Sequence, residues 1–222
     1  MDKIVIFGSG NHAKLICVEV LKFKKLKFLG FIDNSKKKNK LILKIKNKKY
    51  YNLGSINQVV KKKNNFKGII GVGLNFLRKN IYYQITSIDK KFKFQTLISQ
   101  NSIINSNVTI GEGTVILSGV VINPFTEIKD HCIINTKCSI DHNNFFNNFS
   151  STGPGVITGG SVNVGIQSHL GIGSVIKNNI KIGNNTVIGA KSFINKNCKS
   201  NYLYFGSPAR KVKIINSNFN YL

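Results

Sequence analysis

Few side chains here can move a proton near neutral pH. There are four histidines (His12, His131, His142 and His169) and eight acidic residues. A neutral imidazole is the group best suited to take a proton from an amine or hydroxyl. His142 follows Asp141 inside CSIDHNNFFNNFSSTGPG, residues 138–155, where two adjacent phenylalanines and a run of asparagines interrupt a regular pattern. His12 has a different setting. Gly8-Ser9-Gly10-Asn11-His12-Ala13 fits the G-x-G-x-x-G/A turn, and Asp33 follows about 20 residues later. Such a turn offers backbone N–H groups at a helix start to a pyrophosphate, and the acid suits a ribose hydroxyl. His131 and His169 fall at outward positions of regular segments and read as surface residues. Cys17, Cys132, Cys138 and Cys198 show no CxxC and no histidine at ligand spacing, so neither a metal site nor a disulfide framework is expected.

The glycine turn needs a strand before it and a helix after it, and residues 1–88 supply both. KIVIF is a short apolar strand, and Leu15, Ile16, Val18, Val20 and Leu21 mark an amphipathic helix after the turn. KFLGFID and KGIIGVG read as two further strands, the latter running into a helix near Asn75. Strands alternating with helices imply a parallel α/β sheet. The unit is half the size of a dinucleotide fold, which argues against NAD and for a single nucleoside diphosphate.

His142 belongs to another kind of architecture. Stepping by six from Ile104 to Ile194 meets sixteen positions, fourteen of them large and apolar. The next residue is Gly, Asn or Asp in thirteen cases, types that tolerate turns with positive φ, and the fourth residue on is mostly small. Neither a period of 3.6 nor simple alternation produces this, whereas a hexapeptide parallel β-helix of about five coils does. Cys132, Cys138 and Cys198 then become interior packing residues. Phe145, Phe146 and Phe149 are expected to distort or buttress one corner and shape a cleft.

The formal charge is +25, yet 31 of 33 basic residues are lysine, with Arg78 and Arg210 the two arginines. A nucleic-acid reader should be richer in arginine, so a solvated basic surface is expected and no nucleic-acid partner. The lysines concentrate in 22–49 and 61–63, which read as loops and helix faces. KIVIF is too short for a signal peptide and no apolar run approaches a bilayer span, so a soluble cytoplasmic protein without membrane insertion is expected.

The hexad array resembles the left-handed β-helix acyltransferases, and GSPARKV (residues 206–212) is similar to their closing G-x-P-A-K/R segment. Joined to the half-Rossmann domain, it resembles the branch of nucleotide-sugar N-acetyltransferases and sialic acid O-acetyltransferases. The handedness comes from that resemblance. It implies a nucleotide-sugar-binding domain over 1–98, an acyltransferase β-helix over 99–200, a tail over 201–222 packing on the last coil, and a homotrimer with sites between subunits.

The resemblance also implies roles. His142 matches the general base, with Asp141 beside it and Asn135 where relatives carry an asparagine near the base. Asn143 stands where many relatives have Asp or Glu, so it supplies no charge to the base, but its carbonyl could still orient the ring. Gly160 matches the glycine whose N–H meets the thioester oxygen. Ser151 replaces a histidine that contacts the acetyl group in some relatives. Gly8, Gly10, Asn11, His12, Asp33, Asn34 and Gly73 match substrate-binding positions, with Asn11 replacing a usual glycine. Ile172, Gly173 and Ala190 match the pantetheine edge, and Lys191 or Arg210 the CoA phosphates. The expected activity is acetyl transfer from acetyl-CoA to the amine of a nucleotide-linked 4-amino-4,6-dideoxy sugar. Acetylation of a sialic-acid hydroxyl and a non-catalytic nucleotide-sugar sensor stand as alternatives.

Overall fold

The computed structural model describes residues 1–62 and 65–222. Two compact units result. One comprises Met1–Gly73 and Leu77–Gln95, the other Leu74–Phe76 and Thr96–Leu222.

From the N-terminus, β1 (Asp2–Phe7), α1 (Asn11–Val20), β2 (Leu26–Ile32), β3 (Leu41–Ile45), β4 (Lys48–Tyr51), α2 (Ile56–Val60), β5 (Lys67–Ile70) and α3 (Asn75–Ile88) follow one another. β1 lies between β2 and β5, and both pairings are parallel. The four apolar residues ending β1 are fully buried, as expected for a strand covered on both faces. In α1 the buried residues include Ala13, Ile16, Cys17 and Val20, while Leu15, Val18 and Leu21 remain exposed. The apolar stripe is therefore narrower than the sequence implies, and small residues form its centre. Within the lysine-rich 22–49 stretch, β3 and β4 form an antiparallel hairpin rather than a loop or helix face. Lys63 lies outside the described residues.

The second unit is a β-solenoid. Seventeen two-residue strands run from β6 (Leu97–Ile98) to β22 (Phe193–Ile194) and stack into three sheets, with partners 18 residues apart. The register begins one hexad before Ile104, so there are about six coils rather than five. The large hexad residues fill the interior with Cys132, Cys138 and Cys198. Phe145 and Phe146 pair in register with Glu127 and Ile128 below and with Asn163 and Val164 above, so these phenylalanines do not distort the coil. Phe146 fills the interior, and Phe149 stacks on His131 at 5.2 Å.

The turn chemistry differs from the expectation in an instructive way. Positive φ falls on the third residue after every hexad position from Ile104 to Ile188, including Asn107, Phe125, His131, Asn143, Phe149 and Ser161. The glycines directly after the apolar residue serve close approach instead. A Cβ on Gly171 would sit 2.5 Å from the Ile188 carbonyl oxygen, and one on Gly165 would lie 2.5 Å from the Gly183 backbone.

After the coils, β23 (Tyr202–Gly206) pairs with Val187–Ile188, and β24 (Ala209–Ile214) folds back antiparallel on it. The tail extends beyond the last coil, since Tyr221 stacks on His169 at 4.1 Å.

Candidate active site

His142 occupies the turn leaving the strand Ser139–Ile140, on one edge of the sheet built from Val121–Ile122, Ser139–Ile140, Ile157–Thr158 and Val175–Ile176. It lines a groove of about 740 Å³ together with Asn123, Asp141, Gly160, Lys177 and Asn179. The ring's Cε1–Nε2 edge lies over Gly160, where a Cβ would come within 2.6 Å of Cε1 and 2.7 Å of Nε2. His142 Nδ1 pairs with Asn143 Oδ1 at 2.8 Å. An amide oxygen only accepts, so Nδ1 carries the proton and Nε2 keeps its lone pair.

Asp141 does not touch the ring. Its Oδ1 accepts from the His142 backbone N–H (2.8 Å) and from Asn123 Nδ2 (3.0 Å). These bonds hold its carboxyl below the usual carboxylate range, the Asn123 amide contributing most. The turn is pinned from inside by Asn144, whose Nδ2 donates to the carbonyls of Asp141 (2.7 Å), His142 (3.2 Å) and Gly159 (2.9 Å). Thr158, one of two residues breaking the apolar series, accepts from the Asp141 amide at 3.3 Å. The other, Thr152, accepts from the Asn135 amide at 2.8 Å. Among the described residues the Gly160 amide donates to no carbonyl of the coil ladder.

The other expected residues separate into groups. Asn135, Ile172, Gly173, Ala190 and Lys191 occupy turns that enter this same sheet, on the edge opposite His142. The Lys191 amide donates to the Ile172 carbonyl (2.8 Å), and the Lys191 side chain runs beside Gly173. Asn135 Oδ1 accepts from the Thr136 amide at 2.8 Å. Ser151 belongs to another face of the solenoid and is buried there, its hydroxyl 2.8 Å from His169 Nδ1. His131 and His169 are only 2% and 7% exposed, so both are buried rather than superficial. They sit on parts of the coil covered by other side chains, Phe149 for one and Tyr221 for the other.

In the first unit, Gly8 takes a φ of +97° and abuts Val72, and Gly10 caps α1 with open space where a Cβ would point. Asp33 is already engaged. Its Oδ2 accepts from Ser9 Oγ (2.5 Å), and its Oδ1 from the Ser35 amide (2.8 Å) and hydroxyl (2.7 Å). Partial burial raises its pKa, but these bonds outweigh that and hold it below the ordinary value. Asn34 Oδ1 accepts from the Ile56 amide at 2.9 Å. Asn11 is exposed. Burial, with the Arg78 guanidinium nearby, pushes the His12 imidazole down to about 4, so it is neutral at pH 7. Arg78 is 1% exposed and donates to the carbonyls of Val72 and Gly73, both at 3.0 Å. It thereby braces the loop after β5.

Asn144, Thr158 and Arg78 were not singled out from sequence. Signals existed: Asn144 is the one asparagine at the small interior position of the hexads, Thr158 one of two polar residues in the apolar series, and Arg78 one of two arginines.

Residues 3–85 match the family described as the PglD N-terminal domain. The solenoid that follows it has counterparts of known structure over nearly the full chain. A histidine-to-alanine mutant of GDP-perosamine N-acetyl transferase from Caulobacter crescentus, in complex with CoA and GDP-perosamine, superposes with a TM-score of 0.85 at 24% identity, covering 96% of this chain and 98% of that one. The acetyltransferase domain of PglB from Neisseria gonorrhoeae gives 0.83 at 20%, covering 96% and 100%. WeeI from Acinetobacter baumannii gives 0.78 at 18%, covering 96% and 100%. At this identity the likeness is one of fold: a Rossmann-like parallel sheet followed by a left-handed β-helix.

Proposed function

We propose that the chain transfers an acetyl group from acetyl-CoA to the amine of a nucleotide-linked 4-amino-4,6-dideoxy sugar, directly and without an acyl-enzyme. The observation that carries this reading is the His142 ring, its Nδ1 held by Asn143 and its Nε2 lone pair beside the Gly160 backbone in an open groove. The neutral amine nitrogen attacks the thioester carbon as His142 Nε2 takes one of its protons, and the Gly160 N–H meets the developing oxyanion. The C–S bond then breaks, and the imidazolium returns the proton to the leaving CoA thiolate. An N–H donor so placed is worth about 10²–10³ in rate, and the base about 10²–10⁴. The acetyltransferases of like fold, one holding CoA and GDP-perosamine, support both substrate classes.

The nucleotide diphosphate belongs in the first unit, at the Gly8–Ala13 turn, where the first amides of α1 point outward. Asp33 shapes that turn through Ser9 and Ser35, and neutral His12 offers an uncharged imidazole. The pantetheine arm belongs along Ile172, Gly173 and Ala190, with Lys191 and Arg210 toward the phosphates.

We infer a homotrimer, because one chain puts His142 and that CoA edge on opposite sides of one sheet. The sheet also leaves Ile103, Ile157 and Val175 at 59%, 48% and 37% exposed. A cytoplasmic location is part of the same proposal.

The test is thiol release from acetyl-CoA against UDP-, GDP- and dTDP-linked 4-amino-4,6-dideoxy sugars, with sialic acid alongside. Turnover on one amino sugar is expected. Activity on sialic acid alone would move the reaction to a hydroxyl, and acetyl-CoA binding without turnover on any acceptor would favour the sensor.

A further inference from the structure

We propose that Phe125 is the platform against which the acceptor's sugar ring is laid beside His142, making it a specificity-determining residue. This rests on the reaction proposed above. Phe125 adopts a left-handed backbone (φ 62°) while its side chain is 62% exposed. The equivalent turn position in the other coils of this edge holds Asn107, Asn143, Ser161 and Asn179, small polar residues, three of them asparagines that accept such a backbone readily. Phe149 has a similar backbone (φ 60°), but it is 6% exposed and stacked on His131, so packing within the chain accounts for it. Phe125 is mostly exposed instead, which leaves an aromatic face open to a ligand.

Its position indicates which ligand. The Asn143 amide donates to the carbonyl of Pro124 at 3.1 Å, so Phe125 lies one coil, about 4.8 Å, from the residue that anchors His142. The groove beyond His142 runs through residues 157–161 and 175–179, and the proposed CoA edge belongs to the same later coils. An acceptor whose amine meets Nε2 beside Gly160 can extend its ring back along this edge, past His142, toward Phe125. The same edge carries a polar ladder: Asn105 Nδ2 donates to Asn123 Oδ1 (3.1 Å), and Asn123 Nδ2 to Asp141 Oδ1 (3.0 Å). An exposed aromatic face on an edge that also carries amides suits a pyranose, whose C–H face stacks while its rim hydrogen-bonds. Loss of the 6-hydroxyl makes a 4,6-dideoxy sugar more apolar and better matched to the ring.

The experiment compares steady-state kinetics of the wild type, Phe125→Asn and Phe125→Tyr with the amino sugar that the wild type acetylates. Phe125→Asn should raise the acceptor KM about tenfold and leave the acetyl-CoA KM within about twofold. Phe125→Tyr should restore the acceptor KM. The asparagine suits the backbone, so Tm should hold or rise. An unchanged acceptor KM in Phe125→Asn would overturn the assignment, as would a smaller oligomer by light scattering, which would make Phe125 a contact between copies. A wild type that turns over no amino sugar would overturn the reaction and this assignment together, whereas an active wild type with unaltered variants would overturn this assignment alone.

Discussion

Asn143 combines two functions in one residue. Its backbone takes the left-handed turn (φ 58°), a conformation asparagine tolerates, and its side chain fixes the tautomer of His142. From sequence this position offered a missing charge and a carbonyl able to orient the ring, and the second is the contact to Nδ1. The left-handed turn depends on the coil's geometry and emerges only once the chain is wound. Gly160 is the complementary case, because the imidazole lies against its Cα. Gly160→Ala would place a methyl 2.6 Å from Cε1, on a backbone with no left-handed φ to oppose it. We expect kcat to fall by about 10² with Tm nearly unchanged, since the ring is exposed and swings away more easily than the coil deforms. Assay and thermal melt on one preparation decide it; full activity would mean that the ring's position beside Gly160 is unimportant.

At the scale of the elements, the hexads were legible because every coil repeats one environment: a large residue inside, a small one beside it, and a turn. The glycines were misread because two demands produce the same residue. Positive φ is met three positions after the apolar residue by asparagine, lysine and even phenylalanine, while glycine follows directly wherever the next coil's backbone leaves no room for a Cβ. Gly171→Ala tests this reading. Its Cβ would meet the Ile188 carbonyl oxygen at 2.5 Å and the Ala190 amide nitrogen at 2.7 Å, both backbone atoms that cannot rotate away. A loss of about 3 kcal/mol is expected, roughly 5–10 °C in Tm, measured by calorimetry. A melt identical to the wild type would show that the coils yield easily. The burial of His131 and His169 was illegible for another reason: outward on a coil means exposed only if nothing else in the chain covers that face.

For the whole molecule, the order of the two architectures could be read from local patterns, strand–turn–helix first and hexads after. The hairpin Leu41–Tyr51 was hidden by its lysines, since polar, exposed strands lack the apolar alternation that marks a strand. Arg78 was hidden because its burial arises where the loop after β5 meets α1 and α3. Global stability should also register His12. Its pKa is lowered in the fold to about 4 from an ordinary value of 6.5, so between those limits the unfolded chain binds the extra proton. Stability therefore falls as pH drops from about 6.5 to about 4, by an amount on the order of 3 kcal/mol. The Asp33 contribution is lost only below the usual carboxylate range, in a separate window. Urea midpoints for wild type and His12→Asn between pH 4 and 7 should converge in acid, because the variant lacks this loss; parallel curves would show that His12 is not buried as described.

Every assignment in the second unit depends on His142 acting as the base. The most direct measurement is kcat for His142→Ala on the acceptor sugar, paired with acetyl-CoA affinity by calorimetry. Turnover lower by about 10²–10⁴ with affinity for acetyl-CoA unchanged is the expected result. Turnover equal to the wild type would contradict it and send the search for the base elsewhere in the chain.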